Sequence, residues 1–254
     1  MAERYTRYTL SHEMLAGDLP CLVVSREGLP SDAPLVIALH GLGGRKEKVL
    51  SGLYEFAHVG CRAVAPDIRF HGERPGADAR EARLEADYFG TTSEMIEGTA
   101  RDISRLLDHL GASRAAIHGI SLGGYITFAA LVAEPRLYSA SVAMGSPDWT
   151  SALRRFGLGP GHPAYDRAIP LNPLDLLPQT LPPRPLLLLH GAADEVVPPS
   201  GVIALEQRLR PLYAAHPERL ALEIYPGAGH SYSDDMLHRS VEWVQMFPVT
   251  IPRG

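Results

Sequence analysis

The strongest candidate for chemistry in this sequence is a serine in the motif Gly-x-Ser-x-Gly, at residues 119–123. A short apolar run precedes the motif and a helical pattern follows it, which is the arrangement of a strand, a sharp turn and a helix. Such a turn would hold the Ser121 hydroxyl above the carboxyl end of a sheet, where it can act as a nucleophile. Side chains at Gly119 or Gly123 would collide with the neighbouring strand or helix. A structural serine in a glycine-rich turn is the alternative interpretation.

A serine hydroxyl becomes nucleophilic when a base removes its proton, and that base must itself be oriented. His230 follows the last apolar run of the chain and is the candidate base. Asp194 follows the preceding apolar run and is the candidate acid, with Glu195 and Asp148 as competing carboxylates. Serine, acid and base thus occur in this order, each just past the end of a predicted strand.

The rest of the sequence predicts the elements that must position these side chains. Residues 5–14 and 21–25 are predicted to form an antiparallel hairpin, after which apolar runs alternate with helical patterns. Later strands are predicted at residues 35–39, 62–65, 140–144, 186–189 and 220–225, and a further strand is predicted directly before the serine motif. Helices are predicted at residues 46–58, 122–133, 202–212 and 234–247. A further helix is expected to have Thr92 or Ser93 as its cap and to end at Gly111. The alternation predicts an α/β fold with a mostly parallel central sheet of about eight strands and helices on both faces.

Residues 146–184 interrupt this alternation. The segment is rich in proline and too long for a simple connection, so we expect a small helical lid inserted into a single domain of residues 1–254. A disordered linker is the alternative, but Trp149, Leu153 and Phe156 give the segment apolar side chains to bury. These residues are therefore candidates for the wall of a substrate pocket.

Composition and charge favour a globular protein of the cell interior. The 254 residues are 45% hydrophobic and 21% charged, with a formal net charge of −5 and no basic run. Neither nucleic acid nor a membrane surface is therefore an expected partner. The N-terminus lacks the apolar core of a signal peptide and no run reaches the ~20 apolar residues of a membrane span, so a cytoplasmic protein is expected. Cys21 and Cys61 adjoin apolar runs and are expected as buried thiols, with a disulfide left open.

Five pieces of the sequence carry a family resemblance: residues 40–44 (His-Gly-Leu-Gly-Gly), Asp67 with His71-Gly72, residues 119–124, Gly191 with Asp194, and Gly229-His230. From about residue 34 onward the chain resembles the α/β-hydrolase superfamily. More narrowly, it is similar to bacterial carboxylesterases related to dienelactone hydrolases and to the catalytic domains of acylaminoacyl and prolyl peptidases.

The resemblance implies a role for each matching residue. Ser121 would attack a carbonyl carbon, His230 would carry the proton, and Asp194, in a loop that matches the family's acid loop, would orient the imidazole. The backbone N–H groups of Leu42 and Leu122 would form an oxyanion hole, in which each donor lowers the barrier by ~3–4 kcal/mol. The implied substrate pocket includes Gly41, Trp149, Leu153, Phe156 and Val196, and the Leu42 side chain is also expected to line it.

Metal and cofactor chemistry is not expected. His40, His71 and His118 lack the short spacing of a zinc site, and we expect His40 and His118 to bond to local backbone. Asp67 and His71 are expected to hold the loop after the fourth strand. The glycines of residues 41–44 lack the third glycine and the acidic partner of a dinucleotide site, so no cofactor is predicted.

The sequence therefore predicts a serine hydrolase that cleaves small-molecule carboxylic esters through an acyl-enzyme intermediate. The pocket candidates are apolar and no basic residue is placed to bind a carboxylate, so acyl chains of short to medium length are expected. Cleavage of acylamino-acid or small-peptide amides by the same triad is the alternative, and a non-catalytic binding protein of this fold is a third possibility. A monomer or a homodimer is expected.

Overall fold

A sheet of eight strands forms the centre of the protein, whose computed structural model describes residues 6–30 and 32–248. The strands are β1 (Tyr8–Leu15), β2 (Leu19–Arg26), β3 (Leu35–Leu39), β4 (Arg62–Pro66), β5 (Ala115–Ile120), β6 (Leu137–Ala143), β7 (Leu186–Gly191) and β8 (Leu220–Tyr225). They lie in the order β1-β2-β4-β3-β5-β6-β7-β8. β2 pairs antiparallel with β1 and with β4, whereas the other pairings are parallel. The predicted mostly parallel sheet and its opening hairpin are confirmed.

Helices cover both faces of the sheet, as predicted. They are α1 (Leu50–His58), α2 (Arg80–Ala86), α3 (Tyr88–His109), α4 (Leu122–Ala133), α5 (Trp149–Arg155), α6 (Pro163–Ala168), α7 (Pro173–Thr180), α8 (Ser200–Leu209) and α9 (Asp234–Met246). Successive side chains of a strand point to opposite faces, so Val36 packs in the core under α1 and α9 and Ile37 in the core under α3, α4, α7 and α8. Within the described residues, no helix is long and apolar enough to cross a membrane.

Several predicted boundaries were wrong, most clearly at α3. This helix begins at Tyr88, and its cap is Asp87, whose carboxylate accepts from the Gly90 N–H at 2.8 Å. Thr92 lies inside the helix, where its hydroxyl donates to the Tyr88 carbonyl at 2.8 Å. The short helix α2, which buries none of its residues, was not predicted. β6 begins at Leu137 rather than at residue 140. The polar Ser139 precedes the predicted start, so the apolar run did not reveal the first residues of the strand.

Residues 146–184 contain α5, α6 and α7 and bury side chains of their own. Leu153, Tyr165 and Ala168 form a small apolar cluster against which Phe89 and Trp149 pack. This packing does not fit a disordered linker. The function of the segment as a lid stays a prediction.

Cys21 and Cys61 are both free thiols, and both are buried. Burial raises the pKa of Cys21 to about 12 and the pKa of Cys61 to about 11. The disulfide that the sequence left open is therefore not formed, and neither thiol is activated as a nucleophile.

Candidate active site

Ser121 occupies a tight turn between β5 and α4, with a backbone φ of 54° that non-glycine residues rarely adopt. The turn is tight because α4 begins directly against the sheet. A Cβ atom at Gly119 would lie 2.2 Å from the Gly123 carbonyl oxygen, and one at Gly123 would lie 2.5 Å from the Leu39 carbonyl oxygen. Packing therefore requires both glycines, as the sequence predicted, and it holds Ser121 at the carboxyl end of the sheet.

Ser121, His230 and Asp194 form a continuous line of hydrogen bonds. The Ser121 Oγ lies 2.9 Å from His230 Nε2, and His230 Nδ1 lies 2.7 Å from Asp194 Oδ2. An ionised carboxylate only accepts, so Nδ1 carries the imidazole proton and Nε2 can accept from the serine hydroxyl. The His230 side chain is 21% exposed, whereas that of Asp194 is fully buried. This arrangement can receive a proton from the serine and stabilise the imidazolium that forms.

The carboxylate beside His230 belongs to Asp194, and the two competing carboxylates lie elsewhere. Asp194 Oδ1 accepts from the backbone N–H groups two and three residues later, at 3.0 and 2.8 Å. Glu195 is exposed to solvent. Asp148 caps α5, where its carboxylate accepts from a first-turn N–H at 2.9 Å. Asp194 can therefore orient the imidazole, whereas Asp148 caps a helix.

The loop after β3 forms a tight turn, closed by a hydrogen bond of 3.1 Å from the Gly44 N–H to the Gly41 carbonyl. Gly43 is the third residue of this turn and has a φ of 73°, the left-handed conformation that favours glycine there. The Gly43 N–H donates to His71 Nε2 at 3.1 Å. The Leu42 N–H has no acceptor among the described residues. The Leu42 amide can therefore be offered to a ligand.

The two amides predicted as oxyanion donors both adjoin Ser121. Leu122 is the first residue of α4, so its N–H has no carbonyl acceptor within the helix. Leu42 reaches the serine through Gly41, where a Cβ atom would lie 3.5 Å from the Ser121 Cβ. The predicted donor Leu122 is thus next to Ser121 in sequence, whereas the predicted donor Leu42 is brought near Ser121 only by the fold.

The loop after β4 holds the loop after β3 in place. Asp67 accepts from the backbone N–H and from the Nζ of Lys46, both at 2.9 Å. His71 donates from Nδ1 to the Arg69 carbonyl at 2.9 Å, so its Nε2 is the acceptor for Gly43. Asp67 and His71 were expected to hold their own loop. They also hold the loop that carries Leu42.

A cavity of about 460 Å³ opens beside Ser121 and His230. The predicted residues on its wall are Leu42, Trp149, Leu153, Phe156 and Val196, and those that the sequence did not single out include Tyr88, Phe89, Tyr125 and Arg155. Phe89 and Phe156 meet edge to face with ring centroids 5.4 Å apart. Gly41, also predicted, packs against Ser121 instead of lining the wall. The late predicted start of α3 concealed Tyr88 and Phe89, since both lie in its first turn.

No basic residue was expected to be placed to bind a carboxylate in the pocket, but one basic side chain does reach the cavity wall. Arg155, at the end of α5, lines the cavity. Its guanidinium donates to the carbonyl oxygens of Glu195 at 2.9 Å and Val196 at 3.4 Å. This contact joins α5 to the acid loop 40 residues later, so no local pattern could have indicated it. The wall therefore carries one positive charge.

Two buried histidines, His40 and His118, were predicted to bond to local backbone, and one of them does. His40 Nδ1 donates to the carbonyl of the next residue at 2.8 Å, and its Nε2 accepts from the Ile68 N–H at 3.2 Å. His118 instead contacts two side chains, the Ser141 hydroxyl at 2.8 Å and the Tyr232 hydroxyl at 3.0 Å. The prediction of backbone partners was therefore wrong for His118, because Tyr232 approaches from a loop that follows β8.

Among the described residues, one group of possible metal-ligating atoms lies within 4.8 Å of one another, and it belongs to His12, Glu47 and Glu73. Lys46 Nζ already pairs with both carboxylates, at 3.4 Å from Glu47 and 2.5 Å from Glu73. Although burial lowers it, hydrogen bonds to Glu73 and Asp67 raise the pKa of Lys46 above its usual value. The ammonium group of Lys46 therefore already supplies the positive charge that these two carboxylates attract.

Comparison with known proteins gives matches over most of the chain. The prolyl oligopeptidase family matches residues 91–247. A Bacillus subtilis (strain 168) protein named "Putative esterase YitV" is 28% identical over 243 residues, covering 89% of this chain and 93% of that protein. Esterase YjfP of Escherichia coli (strain K12) is 28% identical over 240 residues, covering 88% and 93%. The crystal structure of TT1662 from Thermus thermophilus superposes with a TM-score of 0.72 at 25% identity, covering 96% of this chain and 100% of that one.

Proposed function

Since the chain belongs to the prolyl oligopeptidase family, we propose that it is a serine hydrolase that cleaves carboxylic esters through an acyl-enzyme intermediate. The membership confirms the α/β-hydrolase resemblance of its motifs. Esterase is the activity named for both relatives that align with nearly their whole length. The observation that carries the proposal is the hydrogen-bonded line from Ser121 through His230 to Asp194, at the edge of a cavity.

In the proposed reaction, the Ser121 Oγ attacks the ester carbonyl carbon while its proton passes to His230 Nε2. Asp194 holds the imidazole and stabilises its positive charge, as its 2.7 Å contact with Nδ1 allows. The N–H groups of Leu42 and Leu122 donate to the oxygen that becomes negative. The imidazolium then protonates the leaving alcohol, and a serine ester remains.

The second half of the reaction repeats these steps with water as the nucleophile. His230 takes a proton from the water, whose oxygen attacks the serine ester, and then returns the proton to the Ser121 oxygen. The acid product leaves and the site is restored. No further reactant is required.

The walls of the cavity support esters with short to medium acyl chains. Trp149 and Leu153 of α5 and Phe156, which follows that helix, form one side with Phe89 of α3, so the wall is largely apolar and aromatic. A volume of about 460 Å³ is in the range of small-molecule sites. Since α5 forms this wall, we also propose that residues 146–184 act as a cap over the serine.

Labelling with a fluorophosphonate and a chain-length series of p-nitrophenyl esters test this proposal. We expect a covalent adduct on Ser121 by mass spectrometry, with turnover greatest for short to medium chains. Ser121→Ala should lose both, whereas the matched change Ser93→Ala, at another serine of the cavity wall, should keep both. A protein that neither forms the adduct nor hydrolyses any ester would favour the non-catalytic alternative.

Cleavage of amides is the second candidate, and the name of the matching family is the observation that favours it. The same line of hydrogen bonds can protonate an amine leaving group as well as an alcohol. Paired substrates with one acyl amino acid, as an ester and as an anilide, distinguish the two activities. An anilide turned over as fast as its ester would make the amide activity the principal one.

A further inference from the structure

A second histidine contacts the acid of the serine site but takes no part in the proton transfer. His190 lies near the end of β7 and is completely buried. Its Nε2 lies 2.7 Å from the Val197 carbonyl oxygen and 3.3 Å from Asp194 Oδ2. Two imidazoles, those of His230 and His190, therefore approach the same oxygen of Asp194.

The partners of His190 determine which of its nitrogens carries the proton. A carbonyl oxygen only accepts, so Nε2 must donate to Val197. Nδ1 is buried and has no partner among the described residues. Burial lowers the pKa of His190, which keeps the ring neutral. His190 is therefore the Nε2–H tautomer, which donates to the Val197 carbonyl and holds Nε2 3.3 Å from Asp194 Oδ2.

The two oxygens of Asp194 are then occupied differently. Oδ1 accepts from the backbone N–H groups of Val196 and Val197. Oδ2 accepts from His230 at 2.7 Å and lies 3.3 Å from His190 Nε2. This inference rests on the serine mechanism proposed for this site. We propose that His190 is a positioning residue, which fixes the acid loop through Val197 and lowers the proton affinity of His230 through the nearness of its Nε2–H to Oδ2.

Other polar groups reach the same place from neighbouring elements. The Tyr125 hydroxyl of α4, whose pKa burial raises, lies within electrostatic range of Asp194 and Arg155. Arg155 of α5 donates to the Glu195 carbonyl on the acid loop. Among these groups, His190 is the neutral donor whose nitrogen lies 3.3 Å from Oδ2, so its removal leaves the charges around the acid unchanged.

The direction of the effect follows from the short distance between Nε2 and Oδ2. The positive end of a nearby N–H dipole stabilises the negative charge of a carboxylate and so weakens its attraction for another proton. Without His190, Oδ2 would attract the His230 Nδ1–H more strongly and the His230 pKa would rise. A base that is protonated at higher pH is lost earlier on acidification, so the acid limb of kcat/KM would move to higher pH.

Three substitutions at one position test this inference. Gln places an amide nitrogen at the same bond count from Cα as Nε2, so His190→Gln can keep the donor. His190→Leu removes it, and His190→Asn is a polar variant whose amide is too short to reach. We expect the acid limb to move up by about 0.5 pH unit or more in His190→Leu and His190→Asn, with kcat lowered ~10-fold, and to return toward the wild-type value in His190→Gln.

Nuclear magnetic resonance of protein with isotope-labelled histidine supplies a readout that needs no turnover. We expect wild-type His190 to be the Nε2–H tautomer across the neutral range, and His230 to titrate at higher pH in His190→Leu and His190→Asn. An Nδ1–H tautomer of His190, or a His230 titration that is unchanged or lower in both variants, would overturn the inference. The wild-type measurement remains decisive if the variants do not fold. Absence of ester turnover in the wild type would instead refute the proposed function.

Discussion

A Cβ atom at Gly191 would lie 2.5 Å from the carbonyl oxygen of Gly229. Gly191 ends β7, and Gly229 lies in the loop after β8, so the two loops meet without room for a side chain. The Ala193 N–H donates across the same contact to the Ala228 carbonyl at 2.8 Å. Because Asp194 and His230 each follow directly, this approach sets the distance between the acid and the base.

We therefore predict that Gly191→Ala lowers both stability and turnover. The methyl group must displace one loop, which is expected to destabilise the fold by ~1–3 kcal/mol, and a shift of ~1 Å between acid and base would lower kcat ~100-fold. Chemical denaturation and ester kinetics measure the two effects. The control is Gly159→Ala, where nothing lies within 4 Å of the added atom and a change within ~0.5 kcal/mol is expected. Equal behaviour of the two variants would contradict the prediction.

The identity of the acid is tested by a matched pair of Asp→Asn substitutions. In Asp194→Asn an amide can present an N–H to the imidazole and favour the wrong tautomer, so kcat is expected to fall by ~10³–10⁴, as for an Asp→Asn change in other serine triads. Asp148→Asn should leave kcat within a factor of about two, because asparagine caps a helix as well as aspartate does. Steady-state kinetics on one ester decide the matter. A larger loss at Asp148 would mean that the acid has been misassigned.

His71 Nε2 accepts from the Gly43 N–H and so supports the loop that carries Leu42. Two substitutions at His71 test this support. His71→Ala leaves the Gly43 N–H without its buried partner, so the turn that carries Leu42 should lose its fixed position. We expect kcat to fall ~10-fold with little change in KM, since a full oxyanion donor contributes ~3–4 kcal/mol and this effect is indirect. In His71→Gln the amide oxygen can replace Nε2 as acceptor, and most of the activity should return. No difference between the alanine and glutamine variants would show that the contact is unimportant.

Buried histidines should make the fold sensitive to acid. Burial lowers the pKa values of His40 and His118 to about 4, from the 6.5 expected in an unfolded chain. Between pH 4 and 6.5 the unfolded chain therefore binds more protons, so stability is complete above 6.5 and falls as the pH drops. Each histidine contributes on the order of 2–3 kcal/mol to this loss.

Urea unfolding across that pH range measures the loss. The exposed His238 supplies the control, because His238→Ala should leave the pH dependence of the unfolding free energy unchanged. A free energy that stays constant from neutral pH down to 4 would contradict the prediction.

Chain-length preference is tested by filling the cavity from α5. Ala152 is a small residue on the wall, so Ala152→Trp should occupy space that longer acyl chains would need. We expect kcat/KM for the octanoate ester to fall by ~10–100-fold, with the acetate ester affected several-fold less, since each methylene in an apolar pocket is worth ~1–3 kcal/mol. The acetate ester is the internal control. An equal loss for both esters would indicate a damaged site instead of a filled pocket.

Local patterns predicted those parts of the molecule in which neighbours in sequence are also neighbours in space. The serine turn is one in part, because a Cβ atom at Gly119 would collide with the nearby Gly123 carbonyl, whereas the clash at Gly123 is with Leu39 of the neighbouring strand β3. The start of α3 is an exception, since Asp87 and the later Thr92 are both adequate caps and local sequence does not choose between them. That error concealed the two aromatic residues that wall the cavity.

By itself, the sequence determined the order of strands and helices and the kinds of side chain that end the strands. A buried strand needs a continuous apolar run, and a sharp turn needs glycine, so both can be recognised from residues that are adjacent in sequence. The tertiary structure decided which acid meets the base, which amide can serve the oxyanion, and that Arg155 and His190 reach the acid loop. Ser121 and His230 are 109 positions apart, and His230 and Asp194 are 36 apart. Contacts at such separations depend on how the strands are ordered and how closely their loops pack, which no local pattern encodes.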